Sequence, residues 1–135
     1  MNGAIVGVAI VIVVVMLAVV LKMGKGVSGQ KREEIHRDLD AVRSLSQSDI
    51  SSQKLAVIRG DTLLGKAMQY AGIKGQTVGE GLKNARKRFP RDEYEDLWRV
   101  HKLRNTLVHE RYDISNRETE WAISVYTSAI RRLIK

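Results

Sequence analysis

The sequence predicts an all-α protein, with one N-terminal transmembrane helix followed by a compact up-and-down bundle of four to five helices. Three observations carry that expectation. Gly3 to Leu21 form an uninterrupted run without a charge or a strongly polar side chain. The segments after it repeat their apolar residues at helical spacing, and none alternates with the period of two that a half-buried strand requires.

The first run, 19 residues long, spans roughly 28 Å as a helix, which matches a bilayer core. A cleaved signal peptide is the competing reading. It expects a basic start and a small-residue cleavage site, whereas the chain begins Met1-Asn2 and the run is followed by Lys22-Met23-Gly24-Lys25. An uncleaved anchor over residues 1–22 is therefore expected. Lys22, Lys25, Lys31 and Arg32 flank its C-terminal side, so the positive-inside rule puts the N-terminus outside and the rest in the cytoplasm, at the inner membrane. The absence of cysteine agrees with a reducing compartment.

Residues 23–30 carry three glycines within Gly24–Gln30 and read as a flexible tether. The cytoplasmic domain is expected over 31–135. Its first helix runs from about Lys31 to Ser46, with Ile35, Leu39, Val42 and Leu45 on one face. Asp49 caps a second helix to about Ala71, and Gly72 suits the position just beyond its end. Gly60, in the middle of that helix, suggests close approach of a neighbour. Thr77-Val78-Gly79-Glu80 has the form of a capping box and opens a short third helix that stops before Pro90. A fourth follows from about Asp92 to Glu110. Ser115-Asn116-Arg117-Glu118 opens the last, whose stripe is Ala122, Ile123, Tyr126, Ala129, Ile130, Leu133 and Ile134. Short connections favour antiparallel neighbours.

Composition narrows the function without fixing it. The 23 basic and 15 acidic residues all follow residue 21, giving a formal charge of +8 on the domain, so an anionic partner is expected. RNA and anionic lipid draw Lys and Arg through the same field. Lys83, Arg86, Lys87, Arg88 and Arg91 gather five cations into nine residues without an acid, suited to an RNA backbone, to lipid, or simply to solvent. There is no thiolate for a nucleophile or metal. His36 lies in a charged helix, so the three histidines offer no zinc cluster, and no P-loop or G-x-G-x-x-G segment occurs. No metal or cofactor is expected.

The segment Arg104-Asn105-Thr106-Leu107-Val108-His109 carries the most chemistry. On a helix from Tyr94 to Glu110, at about 100° per residue, Leu97, Val108, Tyr94 and Trp98 define an apolar stripe. His101 and Asn105 fall within it, and Arg104 and His109 lie on its edges. Burying such groups without partners costs roughly 1–3 kcal/mol each, so a polar network or a ligand must satisfy them. Arg offers a planar fork for phosphate and His a proton near neutral pH, a combination that fits phosphodiester cleavage. A hydrogen-bonded core histidine is the competing reading of His101. Asp61, at the edge of the second helix's stripe, is suited to pair with Arg104 or His101 across the bundle, most simply as a structural salt bridge.

Arg104 and His109, with four residues between them and Asn105 directly after the Arg, resemble the R-N-x-x-x-H motif of the HEPN superfamily. The resemblance implies a four- or five-helix bundle that forms a homodimer with its motif helices facing each other, and in many members a metal-independent endoribonuclease. It implies that Arg104 binds the scissile phosphate, His109 acts as general acid or base, and Asn105 orients the pair. His101 lies outside the family pattern. Other members are inactive binding or regulatory modules, so the alternative expectation is a silent, membrane-anchored module whose polar cluster is structural and which serves an unidentified protein partner.

Overall fold

The computed structural model describes residues 2–23 and 26–135, and among these it contains helices and turns but no strand. Gly24 and Lys25, in the stretch expected to form a tether, lie outside the described residues. Helix α1 covers Asn2–Met23, and its segment Asn2–Leu21 is long and apolar enough to cross a membrane. Ile5, Val13 and Leu21 along it are all exposed, and the packed core contains no residue before Val27.

The remaining chain is one bundle: α2 (Gly29–Ser46), α3 (Ile50–Tyr70), short α4 (Val78–Asn84), α5 (Arg91–His109) and α6 (Asn116–Leu133), with a 3-10 turn at Arg86–Arg88. Local chemistry sets these boundaries. Asp49 accepts the Ser52 N–H at 2.8 Å to start α3. The same helix ends on Gly72 at φ +78°, where Ile73 N–H donates to Met68 O at 2.9 Å and Gly72 N–H to Gln69 O at 3.0 Å, closing the last carbonyls as a left-handed cap does. Ser115 and Glu118 form a complete capping box on α6. At α4 only half of the expected box forms. Thr77 accepts from Glu80 N–H, but the Glu80 carboxylate turns back to Gln76 N–H at 2.8 Å.

Cross-bundle contacts give the topology. Lys66 and Tyr70, late in α3, bind Glu34, early in α2. Gln53 donates to Asn116 at 2.8 Å, which aligns the starts of α3 and α6. Glu93, in the first turn of α5, holds Arg132 near the end of α6 at 2.9 Å. Hence α2 and α5 run one way and α3 and α6 the other, an up-and-down arrangement with α4 inserted at the side. The expected α6 stripe is buried throughout, as are Ile35, Leu39 and Val42 of α2. A Cβ at Gly60 would come within 2.6 Å of the Tyr126 ring, so glycine there lets α3 and α6 close on a fully buried aromatic.

Two expectations need correction. The stretch read as a flexible tether to residue 30 does not remain free to that point. Val27 is only 7% exposed and Ser28 caps α2, which starts at Gly29. The buried side of α5 consists of Leu97, Val100 and Leu107, while Val108 is 45% exposed and Tyr94 and Trp98 are half-buried. The core-facing stripe is therefore turned by roughly a quarter of the helix circumference from the expected one.

Candidate functional site

The polar residues of α5 converge on Asp61 of α3. Its carboxylate is nearly sealed from solvent, with the residue 1% exposed, and a bare charge in that position would cost several kcal/mol. Two helices, α5 and α6, supply its partners. His101 Nδ1 lies 3.0 Å from Oδ1 and 3.2 Å from Oδ2, the Tyr126 hydroxyl of α6 donates to Oδ1 at 3.2 Å, and Arg104 Nε sits 3.7 Å from Oδ2. Because an ionised carboxylate only accepts, His101 must donate from Nδ1, which leaves the Nε2 lone pair free in the neutral imidazole. Burial above all, then the Asp61 charge, holds the Tyr126 hydroxyl far above its ordinary pKa of 10.0. It remains a donor.

Arg104 is held on two sides. Nη1 donates to Asn105 Oδ1 at 3.0 Å, and Nε is buried without a hydrogen-bond partner, attracted to Asp61 only by charge. Both His101 and Arg104 line a cleft of about 600 Å³ between α3, α4 and α5, with Asn105 beside them. The opposite wall is backbone: Gly75, Thr77, Gly79 and Gly81 line it. Gly75 packs on the backbone of α4, where a Cβ would lie 2.5 Å from Gly81 N, and Gly79 faces His101, where a Cβ would stand in ordinary contact at 3.6 Å from Nε2. The free nitrogen of His101 thus faces the wall of an open cleft, with a guanidinium next to it. A larger groove of about 1020 Å³ runs along α2 and α6, and it contains none of these groups.

The cleft brings together Asp61, His101, Arg104 and Asn105, and His109 is not among the residues that line it. His109 is the last residue of α5 and exposed, eight residues beyond His101 and so about 12 Å further along the axis. The sequence expected Arg104 to sit at the flank; instead its Nε lies inside, against Asp61. Tyr126 was read only as a core residue. Its phenol was the signal, since a buried hydroxyl needs a partner and Asp61 lies one residue beyond the glycine that admits the ring. Lys83, Arg86, Lys87, Arg88 and Arg91 are all exposed, at the end of α4, on the 3-10 turn and at the start of α5. Arg91 alone among them forms an ion pair within the described residues, with Glu95 at 2.9 Å.

No protein-family model, curated protein or solved structure matches the chain.

Proposed function

We propose that this is a membrane-anchored, HEPN-like domain that binds RNA in the cleft between α3, α4 and α5 and cuts it by proton transfer, with α1 in the bilayer and the bundle in the cytoplasm. The observation that carries the reading is the Asp61–His101 pair beside Arg104. A buried carboxylate fixes the imidazole tautomer and leaves Nε2 as a base, and the adjacent guanidinium suits a phosphate. In transphosphorylation the ribose 2′-hydroxyl gives its proton to His101 Nε2 and its oxygen attacks the neighbouring phosphorus. The 5′-oxygen leaves with a proton taken from solvent, and Arg104 offsets the charge that builds on the phosphorane oxygens. The products are a 2′,3′-cyclic phosphate and a 5′-hydroxyl.

This reading gives His101 the role that the motif resemblance gives to His109, and the two are separable. In full-length protein incubated with RNA in EDTA, His101→Ala should lower the cleavage rate by about 10²-fold or more, in the range typical of a general base. His109→Ala should retain most of it. The reverse result would return the base to His109, and intact RNA with the wild-type chain would remove the nuclease.

A second reading is favoured by the linkage of three helices through Asp61: a silent interaction module in which the cluster locks the bundle. It expects no cleavage, together with a stability loss of roughly 1–3 kcal/mol for Arg104→Ala, through the groups left unpaired.

A further inference from the structure

The cation cluster that the cleft does not use lies at one particular end of the bundle. Four contacts define that end. The Lys135 carbonyl oxygen is 3.8 Å from the position of a Cβ on Gly26, so the end of α6 adjoins the point where the chain arrives from α1. Glu93 binds Arg132 and Ser128, which brings the start of α5 to the same place. Lys31 stacks on the Tyr70 ring at 4.8 Å, adding the end of α3. Asn84 donates to Lys74 O at 2.8 Å, so α4 also points there and the 3-10 turn follows it. Lys83, Arg86, Lys87 and Arg88 therefore share this end with Lys31 and Lys135, and all six are exposed.

The opposite end has a different character. Lys54 there is paired with Asp113 at 3.0 Å, and Asp49, Glu110, Glu118 and Glu120 accompany Arg111 and Arg117. Glu33, Glu34, Asp92, Glu93 and Glu95 also lie at the anchor end, but Arg32, Lys74, Arg91, Arg131 and Arg132 join the six cations there, so cations outnumber acids eleven to five and the excess positive charge of the domain is gathered at this end. Four peptide steps separate Met23, the last residue of α1, from the buried Val27, and such a link spans about 14 Å at most. The link thus keeps this end of the bundle within reach of the headgroups, where juxtamembrane Lys and Arg each gain appreciable attraction to anionic lipid once within a Debye length of the surface, about 8 Å at physiological salt.

We infer that the end of the bundle bearing Lys83, Arg86, Lys87 and Arg88 rests on anionic phospholipid headgroups of the membrane that α1 enters. This rests on the anchor reading of α1 but not on RNA cleavage. Held this way, the His101–Arg104 cleft stands to the side of the contact, with His101 ten residues along α5 from Arg91 and so about 15 Å from that end.

The test is amine footprinting of the full chain in nanodiscs of phosphatidylcholine alone or mixed with phosphatidylglycerol, with Lys102 on the outer side of α5 as the internal reference. Lys83 and Lys87 should label roughly five- to ten-fold more slowly in the anionic discs, Lys102 should not change, and high salt should abolish the difference. The variant with Arg86→Glu and Arg88→Glu should lose the protection. Equal labelling of the wild-type chain in both lipids would overturn the inference, whatever the variant does. Equal labelling in the two lipids, with protection appearing only when RNA is added, would overturn it and assign the cluster to nucleic acid. Failure of the chain to enter phosphatidylcholine discs would overturn the anchor reading and this inference together, while leaving RNA cleavage to be judged by its own assay.

Discussion

Gly60 and Asp61 show how two neighbouring residues set both the packing and the chemistry of the bundle. A Cβ on Gly60 would meet the Tyr126 ring at 2.6 Å, and that ring is fully buried with its hydroxyl tied to Asp61. Helix propensity favours Gly60→Ala by about 1 kcal/mol, but overpacking opposes it by typically 1–3 kcal/mol. With the ring fastened at its far end, overpacking should prevail, so chemical denaturation of Gly60→Ala should show a net loss of up to about 2 kcal/mol. An unchanged midpoint would mean that the ring yields freely. The sequence pointed to the close approach at Gly60, because glycine inside a helix asks for a reason. It also proposed Asp61 as a partner for His101 or Arg104. The choice between those partners was not legible, since it depends on the relative rotation of α3 and α5, forty residues apart in the chain.

At the scale of the element, caps were more legible than faces. A cap is a local device: Asp49, Thr77, Gly72 and Ser115 act on backbone within a few residues, and each ends or begins a helix near the expected place. The buried face of α5 depends on what lies opposite. Two stripes compete along it, one through Tyr94, Trp98 and Val108 and one through Leu97, Val100 and Leu107, and only tertiary contact selects the second. The start of α6 offers the clearest test of a local device. Glu118 accepts from the Tyr112 hydroxyl and from Ser115 N–H, and these bonds, the first more than the second, hold its carboxyl below the usual value of 4.5. A carboxylate with a depressed folded pKa contributes stability that is fully present above its unfolded value and lost as pH falls through the folded one. Glu118→Gln should therefore flatten the decline in melting temperature below about pH 4.5 while leaving the profile near neutrality the same shape. An unaltered acid limb would show that Glu118 is bonded equally well in the unfolded chain. Ser115→Ala, which removes the other half of the box, should cost about 1 kcal/mol at neutral pH.

At the scale of the molecule, the chain divides into an apolar helix that contributes nothing to the core and a bundle that is complete without it. The core begins at Val27 and draws on α2 to α6, while the large apolar side chains of α1 from Ile5 to Leu21 are exposed. Composition revealed that division, but it set the domain boundary a few residues late, because Gly-Val-Ser-Gly reads as linker by content even though Val27 is packed. Two shortened chains separate the readings. One beginning at Gly26 keeps Val27 and the Ser28 cap, and it should fold without detergent with the cooperative melt of the full bundle. One beginning at Gly29 loses the buried valine, worth about 1.5–3 kcal/mol, and a cap on α2 worth about 1 kcal/mol, so it should be less stable by about 2–4 kcal/mol. Equal stability of the two would put the boundary back at residue 31 and make Val27 part of the link. Aggregation of the Gly26 chain, with no folded monomer or dimer, would instead mean that the bundle leaves apolar surface that only α1 or the bilayer covers.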